Sequence, residues 1–489
     1  MMSLSRRPAS LLLAVVMLAA LLCQGCAYNP ATGKKEFSLV TPAQEAAMGR
    51  EGYNAAISEY GRYEDEALAA YVDSVGRKVA RASEQPELAW KFTVLDDPVV
   101  NAFAMPGGYI YVTRGLLAHM QSEAQLAGVL GHEIGHVTAR HSAKQITQQQ
   151  IAGLGLGLAS VVAPEFRRYS ATAEQALGLL MLKYGRDDET QADELGVRYA
   201  STAGFDPREI PGTYRTLQRI ASRAGQSLPS YLSTHPDPGQ RAERTTSLAA
   251  KAATGRTNLV VRQRGYLDRM RNLVYGENPR YGWFEGTRFY HPVLGLELLF
   301  PAGWRTSHTH TALTAVAPDQ SGAVQLTLAR ESAGLSPTDY LVKLTTKGVI
   351  ASSRGGPETI GPWPAWVGSI MVSDGQGGQT PMLAGFVRTS PDVLLQVVGR
   401  GQSSGDAGEK QVLAAIRSLT PLTDPRRGMV QPVRLKVVTL ASAGEFRGLW
   451  PTLGSGLVPV DEGAILNGVE PGEQVQKGQW LKVVEAPRW

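Results

Sequence analysis

Two histidines four residues apart, in His132-Glu133-Ile134-Gly135-His136, constrain the local structure of this chain more than any other feature. On a helix, residues four apart lie one turn from each other on the same face. Two imidazoles so placed can hold one divalent cation, and Glu133 between them can reach a water on it. The flanking residues agree with a helix. Ser122, followed three residues later by Gln125, reads as a capping box, and Leu126, Val129, Leu130, Ile134 and Val137 recur at helical spacing. A helix with a buried stripe is therefore predicted from about Ser122 to Ser142, slimmed by Gly131 and Gly135. The competing account, two unrelated histidines on an amphipathic helix, leaves the carboxylate between them unexplained.

A catalytic zinc site needs a third protein ligand. A further histidine ten residues after His132, the metzincin arrangement, is absent: Ser142 stands there, Ala139 replaces the required glycine, and His141 falls one residue short. A glutamate from a later helix is the other solution. Glu189-Thr-Gln-Ala-Asp193-Glu-Leu-Gly196 offers Glu189 as that ligand. Asp193, one turn on, is placed to accept a hydrogen bond from the outer nitrogen of a ligand histidine and fix its tautomer. The alternative is a solvated helix start, since Asp187, Asp188 and Glu189 would favour any helix N-terminus.

These segments, together with Ser233-Thr-His235-Pro236, Arg241 six residues beyond that histidine, and the upstream run from Asn101 to Leu117, resemble the gluzincin metallopeptidases. That family includes the CAAX prenyl endopeptidases, the bacterial heat-shock membrane protease and periplasmic proteases of barrel-assembly quality control. The resemblance covers about residues 28–250. It implies a mainly helical zincin-type peptidase domain with one Zn2+ per chain on His132, His136 and Glu189, and Glu133 as general base. For His235 it allows two roles, donor to the developing oxyanion or direct ligand in a resting enzyme. Arg241 would be a second donor or the anchor of His235.

The stretch before the helix reads as a substrate platform. Trp90 to Leu95 and Tyr109 to Thr113 are rich in aromatic and β-branched residues, with Pro106-Gly107-Gly108 as a turn signal, so a small antiparallel sheet is expected. Its edge can pair with an extended peptide through backbone hydrogen bonds. Asn101, Ala102, Gly107 and Gly108 are the substrate-binding candidates. Apolar, glycine-rich Ile151 to Val162 is too short to span a bilayer and reads as a core helix or a mobile cover over the metal.

The N-terminus addresses compartment. Arg6 and Arg7, an apolar run from Leu11 to Leu22, then Gly25 and Cys26 form the charged, apolar and small-residue regions of an export signal, residues 1–25. Gly25-Cys26 fits the end of a lipobox, making Cys26 the lipidation candidate, although Cys23 stands where leucine is usual. Ala27 after that cysteine, by resemblance to such lipoproteins, implies anchoring at the periplasmic face of the outer membrane. Cys23 and Cys26 are the only cysteines, so no disulfide is expected in the mature protein. With 49 basic and 44 acidic residues the net charge is +5, two of it from Arg6 and Arg7, which gives no case for nucleic acid.

Beyond the peptidase the composition turns to strands. The expected fold class is α+β: a lipidated tether (26–40), the peptidase domain (41–255), a connector (256–287), a second α+β domain (288–425) and a small C-terminal domain (427–489). In the second domain Phe289-Tyr-His291-Pro and Phe300-Pro-Ala-Gly-Trp304 faintly resemble small secreted domains of the photosystem-associated PsbP type. His308 and His310 could share a strand face, but no third ligand accompanies them and they read as surface histidines. Ala464 to Val484 resembles the second half of a LysM module, the βααβ fold that binds peptidoglycan. The expected function is a zinc endopeptidase of the cell envelope that hydrolyses misfolded or misassembled envelope proteins, a quality-control role. The alternative is a low-turnover chaperone or peptidoglycan tether with a plugged zinc site.

Overall fold

The computed structural model describes residues 26–155, 183–224, 230–329, 332–373, 378–401, 407–454 and 456–486. The export signal, the apolar stretch from 156 onward and the loop tip at 374–377 lie outside them. The chain folds as two compact units, of which the first is discontinuous. Among the described residues it takes the run up to Ile57, then Gly61–Gly276, and, after the second unit, Val433–Ala486.

In the stretch expected as a tether, β1 (Cys26–Asn29) and β2 (Lys34–Phe37) pair as an antiparallel hairpin. Helix α1 (Pro42–Tyr60) starts at a capping box between Thr41 and Gln44, with Pro42 in its first turn. Helix α2 (Glu66–Ala80), capped by Asp65, buries Leu68, Val72, Val75 and Val79 at helical spacing. The strands that follow, β3 (Lys91–Leu95), β4 (Ala102–Met105) and β5 (Tyr109–Thr113), form a sheet in the order β3-β5-β4. It corrects the expected antiparallel pair: β3 runs parallel to β5, and the Pro106–Gly108 turn joins β4 to β5. The fully buried Ala-Phe-Ala-Met strand, too short to announce itself by alternation, takes the antiparallel place and leaves β4 on the edge.

Helix α3 (Arg114–His119) leads to α4 (Glu123–Thr138), which carries the paired histidines. Ser122 accepts from the Gln125 amide as expected, but the Gln125 side chain reaches one residue further back, to the amide of Gln121. Leu126, Leu130 and Ile134 are fully buried, each contributing roughly 1.5–3 kcal/mol. That outweighs the cost of about 1 kcal/mol for each glycine in the helix interior. The helix ends earlier than predicted. Ala139 is its C-cap, Arg140 turns left-handed at φ 58°, and a new helix, α5 (His141–Gly155), begins.

Helix α6 (Arg186–Thr202) packs along α4 at unusually short range. A Cβ on Gly131 would stand 2.9 Å from the Gly196 carbonyl oxygen, and one on Gly196 would stand 2.8 Å from the His132 nitrogen. Only glycine permits that approach. Helices α7 (Ile210–Ala224), α8 (Ser230–Thr234), α9 (Pro238–Ala253) and α10 (Gln263–Arg269) complete this stretch.

The second unit, which among the described residues comprises Ser58–Tyr60 and Glu277–Pro432, holds two sheets. A small one is built around β6 (Trp283–Glu285), β7 (Arg288–His291) and β8 (Leu296–Leu299). The larger is seven-stranded and antiparallel throughout, running from β9 (Arg305–His308), β10 (Ala312–Val316) and β11 (Gly322–Leu328) to the long β12 (Ile350–Ile360), β13 (Trp363–Ser373), β14 (Gln379–Arg388) and β15 (Leu394–Gly401). Helices α11 (Pro337–Thr346) and α12 (Ala407–Arg417) pack on it.

The chain then returns to the first unit. There β16 (Arg434–Thr439) pairs antiparallel with β17 (Trp480–Glu485), with α13 (Phe446–Leu453) and α14 (Val460–Asn467) between them. Leu435, Val437, Phe446, Leu466 and Leu481 share one apolar core with Leu126, Leu130 and Ile134 of α4.

Candidate metal centre

Helix α4 points His132 and His136 into a pocket closed by α6 and by the turn after α8. Their Nε2 atoms are 2.9 Å apart. Glu189 Oε1 lies 3.5 Å from His136 Nε2, and its Oε2 lies 3.6 Å from His132 Nε2. The His235 Nδ1 is 2.8 Å from Glu189 Oε1 and 3.5 Å from His132 Nε2. Four donor atoms thus stand within 4.8 Å of one another, all on buried residues, and no other such group occurs among the described residues. Tetrahedral zinc with bonds of about 2.0–2.2 Å separates its nitrogen and oxygen ligands by roughly 3.3 Å, so these spacings fit one ion.

The electrostatics favour the same ion. Burial, with the Arg241 charge nearby, lowers the His132 ring to about 4, and burial, with the neighbouring histidines, holds His136 well below the ordinary imidazole range. Both rings are neutral at pH 7, each with a lone pair to offer. Burial opposes ionisation of Glu189, but His235 and Arg241 win and hold its carboxyl at about 2. At Glu133 the balance is reversed: burial, with the Glu189 charge, outweighs His235 and Arg241 and pushes it up to about 7. Among the described residues neither of its oxygens has a hydrogen-bond partner, nor does the His235 Nε2 that faces it at 3.8 Å. Buried polar atoms are rarely left so without a ligand or water to meet them.

Around the donors lies a second ring of contacts. Asp193 Oδ1 is 3.1 Å from His132 Nδ1 and accepts from Tyr214 at 2.7 Å. Arg241 clamps both carboxylates, with Nη1 2.8 Å from Glu189 Oε2 and Nη2 2.7 Å from Asp193 Oδ1; Arg244 also pairs with Asp193. Arg241 therefore holds His235 through Glu189. Ring stacking completes the shell: Tyr184 lies on His136 with centroids 3.9 Å apart, and Tyr231 on His235 at 4.6 Å.

One partner escaped the sequence reading. His141, counted above only as a failed ligand, places its Nδ1 2.8 Å from His136 Nδ1 and its Nε2 3.0 Å from Gln191 Oε1. Five residues apart on a continuous helix, the two rings would point in different directions. The break at Arg140 brings them together. Tyr184 and Tyr231 carried no signal of their own, although Tyr231 stands four residues before His235. Of the substrate candidates, Asn101 and Ala102 lie at and on the edge strand β4, which packs against α4. Gly107 and Gly108, at φ 81° and 93°, make the turn, and Gly107 packs against α1. Cys26 opens the β1 strand at the far end of the hairpin.

Comparison with known proteins follows the same residues. The family model for peptidase family M48 matches residues 66–249. The mitochondrial metalloendopeptidase OMA1 of Schizosaccharomyces pombe is 30% identical over 226 residues, 44% of this chain and 64% of that protein. The OMA1 of Arabidopsis thaliana is 36% identical over 34% of this chain and 32% of its own length. A putative beta-barrel assembly-enhancing protease of Vibrio cholerae is 35% identical over 36% of this chain and 38% of its own length. The chain thus spans less than two thirds of each of these relatives. Among solved structures, a cyanobacterial PsbP from Synechocystis matches 28% of the chain at 12% identity and a TM-score of 0.22.

Proposed function

We propose, from the match of residues 66–249 to the model of peptidase family M48, that this chain is a zinc endopeptidase exported to the cell envelope, where it cuts misfolded or misassembled envelope proteins. The observation that carries the catalytic part is the buried convergence of His132, His136 and Glu189 on one point, beside a carboxylate that has no hydrogen bond among the described residues. Zinc, when bound there, supplies Lewis acidity toward a water and a peptide carbonyl. Glu133 takes the proton of the attacking water and returns it to the leaving amine, a role suited to a carboxyl raised toward neutrality. Asp193 and His141 fix the tautomers of His132 and His136, so each ring offers Nε2. Edge strand β4, which packs against the metal helix, holds the substrate as an added strand, with Asn101 and Ala102 at its start.

His235 carries two readings. Its Nδ1 stands among the donors, which favours a resting state with four protein ligands and no place for the attacking water. Its Nε2, aimed toward Glu133, suits a donor to the oxyanion once the ring has turned. The resting-state geometry also supports the second functional reading, a low-turnover chaperone or tether.

The envelope setting rests on the signal-like N-terminus, with Cys26 lipidated at the periplasmic face of the outer membrane. The beta-barrel assembly-enhancing name of the Vibrio relative supports the choice of substrate. The strand–helix–helix–strand order of Arg434–Glu485 agrees with a LysM-type peptidoglycan module. Among the described residues no helix is long and apolar enough to cross a membrane.

The deciding experiment pairs Glu133→Gln with His235→Ala. The first is expected to retain one zinc and lose casein cleavage. His235→Ala raises cleavage if the ring blocks the metal and lowers it if the ring is an oxyanion donor. A zinc-loaded chain inert with and without His235 would displace the peptidase reading in favour of the binding protein.

A further inference from the structure

We propose that the outer face of the β1–β2 hairpin is a membrane-docking surface, which seats the peptidase unit on an anionic phospholipid bilayer through Tyr28, Phe37 and Lys35, with Leu39 beside them. The proposal rests on the reading that Cys26 carries the lipid.

The hairpin register fixes the two faces. Cys26 pairs with Phe37 and Tyr28 with Lys35, alternating with Ala27–Glu36 and Asn29–Lys34. Since strand side chains alternate, Tyr28, Lys35 and Phe37 share one side. The other side is bonded to the protein. Asn29, buried, donates through Nδ2 to the Ala139 carbonyl at 3.0 Å, and the Ala31 amide donates to the Thr138 carbonyl at 3.3 Å. Both carbonyls belong to the C-terminal end of α4, the metal helix. Further along, the Leu39 amide donates to Thr147 Oγ1 at 3.0 Å and Arg140 Nη2 to the Val40 carbonyl at 2.8 Å. These bonds make the hairpin a fixed bracket.

What the bracket presents outward is apolar and cationic. Tyr28 is 59% exposed, Phe37 42% and Leu39 41%, within a dozen residues of one another in sequence, and Lys35 is exposed among them. Aromatic rings with a polar tip settle at the headgroup level, and lysines are drawn to anionic headgroups. The occupant follows from position in the chain. The signal-like run ends at Gly25, and Cys26 is already the first residue of β1. Paired residues lie about 5 Å apart across strands. Acyl chains on Cys26 would therefore bring the Phe37 position to the bilayer with no tether between. A lipid plus a basic, apolar patch is the two-signal arrangement that gives stable attachment. The consequence is orientation: the end of the metal helix is held at a set attitude to the membrane, so the substrates in reach are those emerging at its surface.

The test places a nitroxide at Phe37→Cys, or at Glu36→Cys on the opposite face. Each is made in the otherwise native full-length chain and in a Cys23→Ser, Cys26→Ser background, and mass spectrometry reads acylation of Cys26. With phosphatidylglycerol-containing vesicles, the label at 37 should lose accessibility to a water-soluble nickel chelate while the label at 36 changes little. Lys35→Glu should abolish the shielding in the unacylated background. An unacylated Cys26 with a shielded label removes the anchor and keeps the docking face. A label at 37 as open to the chelate on vesicles as in solution, in a chain whose mass shows acylation, overturns the docking face and leaves the anchor. Loss of shielding in both backgrounds overturns it as well.

Discussion

His136 and His132 are held differently, and the difference has a measurable consequence. The outer nitrogen of His132 meets a carboxylate, Asp193, whereas that of His136 meets another imidazole. If His136 offers Nε2 to the metal, its Nδ1 must carry the proton and donate to His141 Nδ1. His141 then accepts there, carries its proton on Nε2 and donates to Gln191 Oε1. A neutral ring, kept neutral by burial, raises the basicity of His136 less than a carboxylate would, but it fixes the tautomer as firmly. His141→Phe keeps the bulk and removes the acceptor, so zinc affinity by chelator competition should fall by about 10–100-fold. His141→Asn, with a carbonyl oxygen close to the lost Nδ1, should recover part of that loss. Equal affinity for wild type and His141→Phe would reduce His141 to packing.

At the scale of elements, the site depends on two helices meeting at backbone distance. The tight contact runs through Gly131, Gly135, Ala192 and Gly196, and it sets Glu189 and Asp193 opposite the two histidines. Gly196→Ala would force its Cβ to 2.8 Å from the His132 backbone nitrogen, which has no rotamer to yield. The helices must separate, at a cost of about 1–3 kcal/mol. Thermal unfolding of the metal-free chain should register that loss, and zinc affinity should fall with it. Unchanged melting would mean that the helices have slack the close contacts do not indicate. This contact explains which parts of the site were legible in the sequence. Motifs confined to one helix, HEIGH and Glu189 to Asp193, carry their geometry in their spacing, because a helix turn is the same everywhere. Arg241 and His235 were visible only through family resemblance. Their partners, Asp193, Glu189 and Tyr231, come from other turns of chain, and Arg241, expected as a second donor or as the anchor of His235, reaches that ring through Glu189. The parallel pairing of β3 with β5 was hidden for the same reason. Alternation tells a strand which face is buried and says nothing of its neighbour's direction.

Across the whole molecule, the segment matched by the peptidase family ends at residue 249, yet the unit built on it does not. Residues Val433–Ala486 return to the peptidase core after the second unit. The Leu435 amide donates to the Leu273 carbonyl and the Asn272 amide to the Leu435 carbonyl, both at 2.8 Å. Gln121, at the entrance to the metal helix, donates to the Leu466 carbonyl at 3.0 Å. Lys482, fully buried, donates to the Ala118 and Met120 carbonyls at 2.6 and 2.7 Å, at the C-terminal end of α3. The metal helix is thus tied at its start by the C-terminal segment and at its end by the Asn29 hairpin. A glycan-binding appendage could be removed without harm to the catalytic unit; a segment that shares the core cannot. Deleting residues 433–489 should lower the melting temperature and impair zinc binding, because it strips cover from Leu267, Met270 and Leu273. Lys482→Met keeps most of the apolar stem but leaves two buried carbonyls without donors, a loss of about 1–3 kcal/mol for each. A deletion variant that melts and binds zinc like the full chain would show instead that the C-terminal segment is dispensable to the peptidase. For that reason a test of peptidoglycan retention belongs on exposed side chains of the segment, such as Glu470 and Lys477, which can change while the core beneath stays intact.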